Sequence, residues 1–153
     1  MRDGVEQTYP DHPRPKLIYP FDDPPTVGGE ARDVAPGVKW LRMPLGGALS
    51  FINVWAIDEG PGDTNGAGWA IVDTGMGGAA TRDAWRAAFQ GPLAGKGVSR
   101  VFVTHMHPDH IGMSGYLTRK FDAKLWITRL EFTTCRSLAA DTGREAPADA
   151  IRF

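Results

Sequence analysis

An apolar run, SRVFVTH at residues 99–105, empties directly into MHPDHIG. Val101, Phe102 and Val103 have the β-branched and aromatic character of a strand interior and read as buried on both faces. Pro108 cannot donate to a strand ladder, so the chain must turn there. Any fold for this sequence therefore has to deliver His105, His107, Asp109 and His110 to the tip of a buried strand. Those histidines are three of the four in the chain.

Other strands precede this one. VKWLRM, from residue 38, alternates apolar and polar residues, and FINVWAI, from residue 51, is a mostly apolar run consistent with a buried strand. EGPGDTNGAG at 59–68 is a run of turn formers and reads as a hairpin loop. Trp69–Val72 gives a further strand that ends in Asp73 and a glycine-rich turn. TRDAWRAAFQ follows, with Thr81 expected as N-cap and Ala84, Trp85, Ala88 and Phe89 as an apolar helical stripe. Beyond the histidines, GMSGYLTRKF is expected to be helical, AKLWIT a short strand, and RLEFTTCRSLAAD a helix closed by Gly143. APADAIRF, with Pro147 near its first position, reads as the opening of one more helix. The order is one of antiparallel-type strands followed by strand–helix–strand–helix, an α/β (α+β) pattern.

Residues 1–36 have a different texture, holding seven of the twelve prolines. They read as an extended arm, outside helix and sheet, with Leu17, Ile18, Tyr19 and Phe21 laid against a body at 37–153. His12, in this arm, reads as a solvated loop residue. A net charge of −1 argues against a nucleic-acid or anionic-membrane binder. The single cysteine, Cys135, cannot form an intrachain disulfide and suits a reducing compartment. The first residues carry acidic side chains without an apolar stretch, and no run nears the roughly 20 residues of a membrane span. A cytoplasmic location is expected. Oligomeric state is not legible.

In an extended segment side chains at i and i+2 point the same way, so His105 and His107 can offer two imidazoles to one cation. The turn at Pro108 can bring Asp109 and His110 to a second point nearby. Imidazole and carboxylate are ligands that zinc and related divalent metals accept. The competing reading is a solvated loop, which three histidines and an aspartate at one strand tip disfavour.

His105-x-His107-x-Asp109-His110 resembles the signature of the metallo-β-lactamase superfamily. IVDTG, Ile71 to Gly75, is similar to that superfamily's first motif, with a like separation between the two. The resemblance covers about residues 37–153. It implies an αββα sandwich with a dinuclear site along one edge of the packed sheets. By that resemblance His105 and His107 hold the first metal, Asp109 and His110 hold the second, and Asp109 orients the attacking water or accepts its proton. Asp73 then supports the metal loop from behind the ligands; its alternative is a plain turn residue before glycine. The superfamily's diiron flavoproteins carry glutamate in place of His107, so the imidazole leans toward zinc, although iron is used by its sulfur-oxidising dioxygenases.

The superfamily completes its metals with later histidines and an aspartate. After His110 this sequence has no histidine, and Asp122, Asp141 and Asp149 stand in no matching context; Asp122 reads as a turn residue. The expectation is the first half of the sandwich, an N-terminal portion of a longer hydrolase. The implied chemistry is water activated by zinc, as a pair of ions in the complete enzyme, attacking an ester, thioester or lactone of a small metabolite. The alternatives are a non-catalytic remnant or interaction module, and an iron-dependent sulfur dioxygenase of the same superfamily.

Overall fold

The structure, a computed structural model, describes residues 20–60 and 68–140. Its elements are β1 (Ala31–Ala35), β2 (Val38–Pro44), β3 (Phe51–Asp58), β4 (Trp69–Val72), α1 (Ala79–Gln90), β5 (Val98–Phe102), α2 (Pro108–Ile111), α3 (Ser114–Phe121), β6 (Lys124–Trp126) and α4 (Arg129–Ala140). The six strands form one sheet in the order β1-β2-β3-β4-β5-β6. β1 to β4 are an antiparallel meander, and β5 and β6 then pair parallel to β4. The change of sense follows from the connections, since β4–β5 and β5–β6 each contain a helix and a parallel pair needs such a crossover.

One face of the sheet is closed. Leu41, Met43, Val54, Ala56, Ile71 and Val101 from the strands meet Trp85 and Ala88 of α1 and Leu117 of α3, all fully buried. Phe89 of α1 touches Phe121 of α3, closing the two helices against each other. The opposite face carries Trp40 stacked on its cross-strand partner Trp55, and Phe102 against Trp126. These rings are half-buried or exposed. The arrangement of helices on one side of a mixed sheet is the expected α/β architecture, with one sheet among the described residues.

Four expectations need correction. β3 is buried on one face only, because Ile52, Val54 and Ala56 point to the helices while Asn53 and Ile57 are exposed. β5 behaves the same way, Val101 and Val103 lying in the core and Phe102 on the half-open face. Its run of bulky residues reflects apolar packing on both faces rather than full burial. Thr81 is not the N-cap: α1 starts two residues earlier behind Gly78, and Thr81 is buried inside the helix. The space it fills lies beside Gly75, where an added Cβ would run into the Thr81 methyl. Finally, the proline-rich segment does enter the sheet. Ala31–Ala35 form its edge strand between Pro25 and Pro36, an edge being where a chain bounded by prolines can pair.

Phe21 of that segment lies beneath the Arg32 guanidinium, 4.8 Å away, whereas Leu17, Ile18, Tyr19 and His12 fall outside the described residues. So do Gly143, the APADAIRF segment and most of the 59–68 loop, whose flanking strands pair antiparallel as a hairpin requires. Asp122 takes a left-handed turn conformation (φ 53°) ahead of β6, as its sequence context suggested.

Candidate metal centre

Parallel pairing sets the site. Val72 lies opposite Phe102, and Phe102 opposite Trp126, so β4, β5 and β6 end at one edge of the sheet. Ligand sites in open parallel sheets form at this edge, beyond the carboxyl ends of the strands. Asp73 leaves β4 there, Thr104–His107 leave β5, and Thr128 and α4 follow β6.

Pro108 ends the extended run by opening a single helical turn. His107 is extended (φ −57°, ψ 142°), as a residue before proline prefers, and its carbonyl accepts from the N–H groups of His110 and Ile111. That turn swings Asp109 and His110 back toward the strand tip. The rings of His105 and His110 lie 4.0 Å apart, and those of His105 and His107 4.6 Å.

The turn is pinned from β4. Thr74, fully buried, donates its N–H (2.8 Å) and its hydroxyl (2.7 Å) to the His110 carbonyl, and its Oγ1 accepts from the Met113 N–H at 3.0 Å. The Trp85 indole donates to the Thr74 carbonyl at 2.8 Å, which ties the pin to the core. Gly112 sits where an added Cβ would collide with Gly77 N and the Pro108 carbonyl, so the two turns approach closely only because this position is glycine.

Asp73 organises the histidines. It is buried, with 6% of its surface exposed, and holds a left-handed conformation (φ 59°) that aspartate tolerates better than most residues. Its Oδ1 accepts from the Thr104 N–H at 2.9 Å, and its Oδ2 lies 2.8 Å from both the Thr104 hydroxyl and His110 Nδ1. A carboxylate only accepts, so His110 carries its proton on Nδ1 and presents the Nε2 lone pair outward. Thr104, having donated to Asp73, accepts from His105 Nδ1 at 2.9 Å, which leaves His105 Nε2 as a lone pair too. One buried carboxylate thus sets both tautomers, directly for His110 and through a hydroxyl for His105.

The consequence falls on His107. Its Nδ1 lies 3.0 Å from His105 Nε2. Two nitrogens bound to one tetrahedral zinc lie about 3.3 Å apart, given Zn–N bonds near 2.05 Å. His110 Nε2 in turn lies 3.6 Å from Asp109 Oδ2. The four sequence-chosen donors therefore come together as two pairs, His105 with His107 and Asp109 with His110. Among the described residues no group of three or more His, Cys, Asp or Glu side chains converges on a single point. The donor chemistry fits a divalent cation, of which each pair would supply part of the coordination shell.

Residues 47–150 match the Metallo-beta-lactamase superfamily. The chain belongs to that superfamily. Among solved structures, this metallo-β-lactamase chain is similar to a beta-lactamase domain protein from Burkholderia ambifaria, at 38% identity and a TM-score of 0.73, over 88% of this chain and 42% of that one. It is also similar to a metallo-beta-lactamase family protein from Thermus thermophilus, at 28% identity and a TM-score of 0.62, over 79% of this chain and 38% of that one. The chain spans about two fifths of the length of both structures. No match was found among curated proteins. The superfamily consists mostly of hydrolytic metalloenzymes, which agrees with the donor chemistry of the strand tip. Among the described residues no helix is long and apolar enough to cross a membrane.

Sequence reasoning missed three residues of this edge. Thr74 and Thr104 are ordinary in a strand-end context, and only the β4–β5 register reveals that they bond across it. Glu131, on α4, accepts from the Met106 N–H at 2.7 Å.

Proposed function

We propose that this chain is the metal-gripping portion of a cytoplasmic hydrolase that acts on an ester, thioester or lactone of a small metabolite. The observation that carries the reading is the approach of His107 Nδ1 to His105 Nε2, whose lone pair the Asp73–Thr104 chain has aimed outward. A neutral His107 can donate its Nδ1–H to that lone pair, and in its other tautomer it offers a second lone pair at the same place, so a divalent cation can take the position of the shared proton. Zinc suits this donor set, with iron as the other candidate.

His105 and His107 would hold one ion, and Asp109 and His110 the other. When bound, the metal supplies a water made nucleophilic near neutral pH and a Lewis acid for the substrate carbonyl. The protein's own residues do the rest. Asp73 fixes the imidazole tautomers, and Thr74 holds the turn that presents His110. Asp109, whose carboxylate stands beside His110, orients the water and accepts its proton. Because the two pairs provide only part of two coordination shells, the chain by itself binds metal less tightly than an enzyme with every ligand in place.

Elemental analysis of the purified chain after loading with zinc or iron separates the two metals. Thioester and lactone panels would then be run on the chain and on its His107→Ala and Asp109→Ala variants. Loss of bound metal in His107→Ala and loss of turnover in both is the expected result. Equal rates in all three proteins would remove these residues from the mechanism. Bound metal without any turnover in the parent chain would instead favour the non-catalytic reading.

A further inference from the structure

Met106, between His105 and His107, lies past the end of the β5 ladder, where backbone N–H groups need partners other than a neighbouring strand. Val103 donates to the Trp126 carbonyl at 2.9 Å, the last strand-like bond. Beyond it the partners are carboxylates: Asp73 for the Thr104 N–H and Glu131 for the Met106 N–H, at 2.9 and 2.7 Å. Asp73 follows the strand on one flank of β5, and Glu131 sits on the helix that follows the strand on the other flank.

Glu131 is placed there by a helix start. Thr128 caps α4, its Oγ1 accepting from the Glu131 N–H at 3.3 Å and its carbonyl from the Phe132 N–H at 3.0 Å. Thr-x-x-Glu at a helix start is the sequence of a capping box, in which the glutamate folds back on the cap residue's own N–H. Here the carboxylate reaches instead to Met106, 25 residues earlier. The bond is charge-assisted and half-buried, which makes it one of the stronger kinds available to an amide.

We propose that Glu131 is a positioning residue for the metal centre: it clamps the peptide that joins His105 to His107 and so fixes their mutual approach. Asp73 sets which nitrogen each ring presents, and Glu131 sets where the backbone between two of the rings lies. The metal-affinity part of this inference rests on the function proposed above; the clamp itself does not.

The test compares the chain with its Glu131→Ala, Glu131→Gln and Leu138→Gly variants. Glutamine keeps an oxygen that can accept from Met106, alanine does not, and Leu138→Gly weakens α4 at an exposed position while leaving its start and Glu131 in place. In competition against a chromophoric chelator, zinc affinity is expected to fall about 10- to 100-fold in Glu131→Ala, the range for residues that support metal ligands. It should return close to the parent value in Glu131→Gln and hold in Leu138→Gly. Hydrogen exchange of the Met106 amide in metal-free protein should accelerate in Glu131→Ala alone. Unchanged exchange and affinity in Glu131→Ala, or an equal loss in Leu138→Gly, overturns the proposal. If the parent chain takes up no zinc, the proposed function fails, and the exchange measurement still decides the clamp.

Discussion

Asp58 and Glu59, at the end of β3 remote from the histidines, meet Lys96 at 2.5 Å and Arg100 at 3.2 Å. Asp73, Asp109 and Glu131, at the opposite end of the sheet, have no lysine or arginine partner among the described residues. They hold imidazoles, a hydroxyl and backbone amides instead. Both ends spend carboxylates, but with opposite electrostatic results. A carboxylate matched to a fixed cation contributes little field, whereas three without a lysine or arginine partner among the described residues leave the edge more negative. The remote end closes its charges in ion pairs, and the histidine end leaves its carboxylates to imidazoles, a hydroxyl and amides.

The largest expected effect comes from cutting the tie between the histidine end and the core. Trp85→Ala removes a fully buried indole, its stack on Phe89 and its bond to the Thr74 carbonyl. Urea denaturation should show a loss of about 3–5 kcal/mol, the usual cost of emptying a buried aromatic site. A loss near zero would mean that the helix-covered face is not what carries this fold.

Asp73→Ala should cost less stability and more function. Both imidazole tautomers lose their director, and zinc affinity is expected to fall about 10- to 100-fold by chelator competition. Asp73→Asn keeps a residue at ease in the left-handed conformation and should fall between alanine and the parent. Unchanged affinity in both variants would erase the distinction between the two ends.

Asp58→Asn should give the smallest effect, and it should leave zinc affinity untouched. Its bond to Lys96, and next the Gly60 N–H, hold the Asp58 carboxyl below the ordinary value of 3.8. A carboxyl depressed in the folded state stabilises fully above its unfolded value and loses that contribution as pH falls through the folded one. The pair is exposed, so the gain is small. The melting difference between the parent and Asp58→Asn should be present at pH 7 and vanish below the carboxylate range. A difference that grew in acid would contradict the pairing.

Much of this was legible because the signals were local. Three histidines within six positions, and a proline that stops the strand between them, needed no tertiary information. The pairing of Asp73 with the cluster followed from a familiar order of motifs. Burial was less legible: FINVWAI and SRVFVTH look apolar throughout, yet both alternate, because aromatic and isoleucine side chains also cover the half-open face. Thr81 was misread because a threonine before an apolar stripe usually caps, while here the helix already begins at Ala79 and buries Thr81 against the Gly75 turn. Glu131 could not be found from sequence at all. Its local pattern describes a self-contained helix start, and only the parallel docking of β6 beside β5 brings it to Met106.

That docking has a kinetic consequence. The bonds that shape the histidine edge join residues 31, 37 and 25 positions apart: Asp73 to Thr104, Asp73 to His110, and Met106 to Glu131. Each requires a long loop to close before any reward is collected, and parallel pairings of this kind are slow to nucleate. During folding the meander of β1 to β4 can assemble from neighbours, while the histidine edge waits for three parallel strands to be laid side by side. The histidine edge is thus the last part of the sheet to assemble, and a chain trapped short of it would be compact and largely ordered with its imidazoles still apart.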